Sequence, residues 1–152
     1  MKIRIASLVD GLNSISESFN PNDLDLDNDL FTGKINVNAE IAKRPGKLNI
    51  NIDVNANALL VCDRCCESFE HGINGNCSVI FIRRQEAIED EMPGDDIRSY
   101  LVGQNEIDIS VEIRDSLMLE IPSKRLCSED CKGICSGCGA NLNMEACTCK
   151  KS

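Results

Sequence analysis

The stretch Leu48-Asn49-Ile50-Asn51-Ile52-Asp53-Val54-Asn55-Ala56-Asn57-Ala58 alternates apolar and polar residues without a break. A period of two sends successive side chains to opposite faces of a strand, so this segment reads as a half-buried antiparallel strand. Upstream, Ile35, Val37, Ala39 and Ile41 repeat the pattern, and Arg44-Pro45-Gly46-Lys47 supplies a turn between the two runs. Downstream, Leu59-Leu60-Val61 leads into Cys62-Asp63-Arg64-Cys65, and alternation resumes from Phe69 to Ile82. The centre of the chain is therefore a predicted β-meander, with the Cys-x-x-Cys at or near one of its turns.

Outward from this centre the signals are more varied. Lys2 to Leu8 reads as a short strand. Residues 10 to 31 read as loop, with Asn20-Pro21-Asn22-Asp23 as a turn and Leu24, Leu26 and Leu30 in an irregular edge segment. Glu86 to Asp96 holds six acids and no base, and reads as an exposed loop. Ile107 to Ile109 suits a brief strand. Ser110 suits the cap of a helix from Val111 to about Ile121, which Pro122 ends. The expected fold class is α+β: mainly an antiparallel β-meander or partly open barrel, with one or two helices and a C-terminal cysteine-rich zinc-binding tail. The expected division is a β-rich body over 1–122 and a cysteine-rich tail over 123–152.

Ten cysteines in 152 residues need an explanation. Met1 to Asp10 lacks an uninterrupted apolar core, so no secretory signal is expected, and no apolar run is long enough to span a membrane. A cytoplasmic location follows as the expectation, and there thiols stay reduced and close-spaced cysteines more often bind metal. Six of the thirty tail residues are cysteine: Cys127, Cys131, Cys135, Cys138, Cys147 and Cys149. In Cys135-Ser136-Gly137-Cys138-Gly139 the glycines let the backbone turn its amides toward sulfur. Cys135, Cys138, Cys147 and Cys149 form a first predicted zinc site. Cys62, Cys65, Cys127 and Cys131 form a second. With so few large apolar residues, the tail needs metal binding to supply its folding energy. An iron–sulfur cluster is a minor alternative, because it also takes four thiolates. Cys77 falls on the apolar face of its strand and reads as core. Cys66 has no assigned role.

Nothing in the chain reads as catalytic, so no enzyme activity and no small-molecule substrate are expected. There is one histidine, His71, in a strand pattern, and it reads as a satisfied surface or core imidazole. No phosphate-binding glycine loop or nucleophile elbow is present. A closed four-cysteine site leaves no position for water and is structural. The net charge is −9, and it is uneven: residues 1–122 hold 22 acids against 11 bases, while the tail holds three against five. Lys43-Arg44, Lys47, Arg83-Arg84, Lys124-Arg125, Lys132 and Lys150-Lys151 suit either solvated turns and termini or local phosphate contacts. The negative total and the scarcity of aromatic residues favour a role through a protein partner over a stacking platform for RNA.

Taken together, Cys62-Asp63-Arg64-Cys65 after a meander, an acidic loop, a helix ending at Ile121-Pro122, and the tail Cys127-x3-Cys131-Lys132-Gly133-Ile134-Cys135-x2-Cys138-Gly139-x-Asn141-Leu142-Asn143-x3-Cys147-x-Cys149 resemble the YceD family, the large ribosomal RNA subunit accumulation proteins. The likeness is to the long-tailed bacterial form and extends over nearly the whole chain. Cys66 departs from it, standing where an apolar residue such as Leu is expected. The resemblance implies a ribosome-biogenesis accessory factor that supports accumulation or processing of large-subunit ribosomal RNA. Its implied partners are precursor ribosomal RNA, ribosomal proteins or RNA-processing proteins, and it implies no catalytic residue. The competing reading is a cysteine-based redox or metal-responsive interaction module.

Overall fold

Three long strands carry the period-two pattern in the structure, a computed structural model that describes residues 1–85 and 96–149. They are β3 (Phe31–Arg44), β4 (Lys47–Val61) and β5 (Ser68–Arg84). With β2 (Gly11–Phe19) and β6 (Ile97–Leu101) they form a five-stranded sheet in the order β2-β3-β4-β5-β6. Strands β2 to β5 pair antiparallel as a meander, and β6 joins β5 in parallel. The sheet is open, with β2 and β6 on its edges. A separate ribbon pairs β1 (Lys2–Arg4) with β7 (Glu106–Asp108). One α-helix, α1 (Ser110–Leu119), follows it.

Alternation decides which face of the sheet is covered. Ile35, Ile41, Leu48, Ile50, Ile52, Leu60 and Ile73 are buried on one face. The other face carries Asn36, Asn51, Asp53, Asn55, Asn57, Asn74 and Asn76, all exposed. The covering layer brings Ile3, Ile107, Ile109, Ile113 and Leu117 into the same core. Burying each such side chain fully is worth about 1.5–3 kcal/mol, so the body holds together on hydrophobic burial. Helix α1 packs on β4 and β5. Gly75 permits this approach: a Cβ there would lie 3.0 Å from the Ser116 backbone.

Several sequence expectations need correction. Residues 10–31 are loop and turn only in part, from 20 to 30. Gly11–Phe19 is strand β2, paired with β3 from Gly11↔Lys43 to Phe19↔Ile35. As an edge strand it buries little, with Ile15 and Phe19 only half-buried, so hydrophobic periodicity is weak; its backbone hydrogen bonds to β3 hold it. Pro21–Leu24 is a single 3₁₀ turn closed by the Asn20 N–H donating to Asp23 Oδ2 at 2.9 Å. It carries Leu24 and Leu26 into the core and away from any edge. The first strand stops at Arg4, and Ile5–Ser7 is a 3₁₀ turn. Ser110 does not cap the helix with its hydroxyl. The Asp108 carboxylate accepts both the Ser110 N–H at 2.9 Å and the Ser110 hydroxyl at 2.6 Å, and so satisfies a free donor of the first turn. The helix ends at Leu119, two residues short of Ile121.

Of the expected acidic loop, residues 86–95 lie outside the described residues, and Asp96 is an exposed turn residue. Among the described tail residues there is no helix or strand longer than one bridge, Ile134↔Asn141. Cys77 is half-buried against the core, its thiol 3.6 Å from the Glu112 carbonyl, and burial pushes its pKa up. His71 is exposed, edge-on to Phe69.

Candidate metal centres

The turn from β4 to β5 presents the first pair of thiols. Its closing bonds run from the Cys62 N–H to the Glu67 carbonyl at 2.9 Å and from the Cys66 N–H to the Cys62 carbonyl at 2.9 Å. The tail then docks against this turn. The Asp63 N–H donates to the Arg125 carbonyl at 2.8 Å, and the Arg125 N–H returns a bond to Asp63 Oδ2 at 2.8 Å. Further along, the Ile134 N–H donates to the Arg64 carbonyl at 3.0 Å, and the Arg64 guanidinium donates to the Cys131 carbonyl at 2.9 Å. Gly133 makes the fit possible: its φ is +75°, and a Cβ would meet the Arg64 carbonyl oxygen at 3.0 Å. These bonds bring Cys127 and Cys131 onto Cys62 and Cys65. The Sγ separations are 3.8 Å for Cys62–Cys131 and 3.6 Å for Cys65–Cys127. Cys62, Cys65 and Cys131 are buried, whereas Cys127 is exposed.

The second group is built within the tail. The Gly139 N–H donates to the Cys135 carbonyl and the Cys135 N–H to the Ala140 carbonyl, both at 2.8 Å, forming a tight knuckle. Cys147 and Cys149 close over it, with Cys135–Cys147 at 3.3 Å, Cys135–Cys149 at 3.8 Å and Cys138–Cys147 at 3.8 Å. A Cβ at Gly137 would come within 2.8 Å of Cys149 Sγ, so only glycine leaves room for that sulfur. Cys135 is half-buried and the other three are exposed.

The sulfurs of each group all lie within 4.8 Å of one another. Four ligands at 2.3 Å in a tetrahedron stand about 3.8 Å apart. A disulfide would need about 2.05 Å, and all ten cysteines are free thiols. A polynuclear iron–sulfur cluster interposes several atoms and spreads its thiolates wider than one ion does. The donor set and spacing of both groups therefore suit a single four-coordinate ion with soft-ligand preference. All eight cysteines of the two predicted sites are thus brought together in two fours, while Cys66 and Cys77 stand outside both groups.

The electrostatics point the same way. The Cys62 pKa is lowered to about 6, chiefly by the Cys127 backbone N–H. That of Cys138 is lowered to about 6 by the backbone N–H groups of Ala140 and Thr148. The Cys149 pKa is pushed up to about 12 by the neighbouring Cys138, Cys147 and Cys135 sulfurs. For Cys65 the Glu67 backbone N–H pulls down, but burial and the three facing thiols outweigh it and raise the pKa to about 12. Each group thus combines a ready thiolate with a thiol that holds its proton against its neighbours. A cation among the four sulfurs removes that conflict.

Two supporting residues were not singled out from the sequence. Asn143 donates its amide to Cys131 Sγ at 3.3 Å, lowering that thiol's pKa, and its Oδ1 accepts from the Lys132 N–H at 2.8 Å. It lies between Cys138 and Cys147, so a residue of the second loop steadies a sulfur of the first group. Arg64, inside the first Cys-x-x-Cys, holds the tail carbonyls of Cys131 and Glu129. Cys66 sits just after the second cysteine of its pair, as Gly139 does after Cys138. Both are left-handed, with φ of 59° and 74°.

Residues 50–152 match the family of the large ribosomal RNA subunit accumulation protein YceD, a narrower span than the sequence resemblance suggested. A protein from Zea mays named large ribosomal RNA subunit accumulation protein YCED homolog 1, chloroplastic, is 32% identical over 142 residues, covering 75% of this chain and 48% of its own length. The like-named protein of Arabidopsis thaliana is 31% identical over 139 residues, covering 76% of this chain and 43% of its own. The chain thus spans less than half the length of these relatives. No solved structure matches it. With two cysteine pairs on the body–tail junction, two more within the tail, and a family match across both, this chain belongs to the YceD family of large ribosomal RNA subunit accumulation proteins.

Proposed function

We propose that this protein is a non-enzymatic accessory factor of ribosome biogenesis that supports accumulation of large-subunit ribosomal RNA, and that its two cysteine tetrads hold structural zinc. Cys62, Cys65, Cys127 and Cys131 hold one ion, and Cys135, Cys138, Cys147 and Cys149 the other. The observation that carries the reading is the pairing of two four-sulfur groups with membership of this family. Four thiolates close the coordination sphere of zinc, so neither ion has a site for water or substrate, and each serves to fold the chain around it. Ten unbridged thiols suit a reducing compartment, and we place the protein in the cytoplasm of a bacterial cell. Its partners are precursor ribosomal RNA or the proteins bound to it.

The test is depletion of the protein in its own cell, followed by measurement of the ratio of large- to small-subunit ribosomal RNA. The ratio falls on depletion, is restored by the wild-type chain, and is not restored by Cys131→Ser. An unchanged ratio overturns the proposal. A second reading, a metal-responsive module, draws on the exposure of Cys138, Cys147 and Cys149. It requires loss of the second ion to change partner binding while the first stays in place.

A further inference from the structure

The end of the sheet remote from the cysteine tetrads gathers positive charge in a β-rich body, residues 1–122, that is otherwise acidic. The β3–β4 turn brings Arg44 opposite Lys47, and Lys47 lies beside Ile82 of β5. The Arg83 N–H donates to the Gly46 carbonyl at 2.8 Å, which fastens the end of β5 to that turn. Two sequence segments almost forty residues apart, Lys43–Lys47 and Arg83–Arg84, therefore share one edge of the molecule. A concavity of about 530 Å³ opens there, lined among others by Lys43, Arg44, Arg83, Ile5, Pro45 and Tyr100. Lys43 is already engaged: its ammonium donates to the Leu8 carbonyl at 2.7 Å and stands 3.8 Å from Asp10. Arg44, Lys47, Arg83 and Arg84 have no ion-pair partner among the described residues. Among the described residues, Asp10 is the one acid lining the concavity.

From this placement we infer that the Arg44–Lys47–Arg83–Arg84 edge is a contact surface for the phosphate backbone of RNA. The inference rests on the proposed ribosomal role and names the group through which the chain touches its RNA. Three of the four unpaired cations are arginine, whose planar fork matches phosphate oxygens two at a time. The chain as a whole carries −9, and without these four cations −13, so its net field repels a polyanion and local attraction is needed to hold one. Strand β4 separates this edge from the cysteines: fifteen residues lie between Lys47 and Val61 inclusive, roughly 45–50 Å at about 3.3 Å per residue. RNA at one end and the metal-bound tail at the other leave both accessible at once. No base-stacking platform is required, because the contact is with the backbone and is indifferent to sequence.

The test uses the zinc-loaded full chain and a fluorescent single-stranded RNA, with affinity measured across a series of salt concentrations. Each neutralised phosphate of a single strand contributes about −0.7 to the slope of log K against log salt. The four cations therefore set a limit of about −3 on the slope, because Arg83 and Arg84 leave β5 on opposite faces. The double variant Arg44→Gln/Arg83→Gln is expected to bind about tenfold more weakly and to lose about 1.4 from the slope. Its zinc content and melting temperature should match the wild type, and Lys124→Gln/Lys132→Gln in the tail should leave binding unchanged. Equal binding by wild type and double variant overturns the inference, as does a wild type that binds polyglutamate in preference to RNA. The two readings fail separately. If the double variant fully restores large-subunit RNA in depleted cells, the surface is wrong and the ribosomal role stands. If even the wild type restores nothing, the role itself fails.

Discussion

Each of the two tetrads gathers four cysteine sulfurs, and they do so by opposite means. In the first, the paired sulfurs come from residues 62 and 69 positions apart in sequence, and three of the four are buried. In the second, contacting sulfurs are 9 to 14 positions apart, and three of the four are exposed. The difference assigns them different work. The first closes a long loop and fastens the tail to a body already folded on its own apolar core. The second organises a local segment that has almost no apolar residues to bury. A long loop costs little more entropy to close than a short one, so the first tetrad is distinguished less by its loop than by its hydrogen-bonded, buried setting.

That contrast breaks most visibly when one sulfur is removed. Structural zinc is worth about 10–16 kcal/mol in isolated zinc-finger peptides, so loss of a site dominates every other change. Cys131→Ser is expected to release one ion and undock the tail, with trypsin cutting rapidly at Lys124 and Arg125. Cys149→Ser is expected to release one ion while those two sites stay protected. Equal protease sensitivity of the two variants would contradict a docking role confined to the first tetrad.

Glycine substitutions give a smaller, sharper comparison. Gly133→Ala puts a side chain at φ +75° and against the Arg64 carbonyl. The left-handed backbone alone costs roughly 1–2 kcal/mol, so tail docking should weaken by about that or more, read as a lower melting temperature. Gly137→Ala crowds Cys149 Sγ alone. It should speed zinc loss to a chelator from the second tetrad and leave docking intact. Asn143→Ala links the two centres. It removes an amide donor from Cys131, and hydrogen bonds to charged groups are worth about 1.5–3 kcal/mol. Its expected signature is faster chelator extraction of the first ion, with the second unaffected.

Cys66→Gly carries the smallest effect. Glycine relieves the left-handed strain at φ 59°, but its own unfolded-state entropy costs about 0.5–1 kcal/mol. The melting temperature should barely move, and zinc content should not change. A large loss would mean that the Cys66 thiol takes part in the first site.

What the sequence made legible follows the same division. Strands β3, β4 and β5 could be read because every second residue from Leu48 to Ala58 is buried, and strict alternation has no helical equivalent. Strand β2 could not, because Ser14, Ser16 and Ser18 bond to Asn36 and Asn38 on the open face and only Ile15 and Phe19 turn partly inward. The parallel pairing of β6 was also hidden, since its register depends on the chain returning beside Ile80. The second tetrad is written in local spacing. The first is two pairs far apart in sequence, joined there only by counting thiolates in fours, and the residues that hold them together, Arg64 and Asn143, are set by how the tail folds back. No local pattern marks an asparagine as a sulfur's donor across eleven intervening residues.

The central claim is that two separate ions are held, one at the body–tail junction and one within the tail. The most direct measurement is native mass spectrometry of the chain purified without chelator, alongside Cys62→Ser and Cys138→Ser. The account predicts two zinc ions on the wild type, matching its two tetrads, and one on each variant. A wild type carrying a single ion, iron in place of zinc, or both ions lost together in either variant would contradict it.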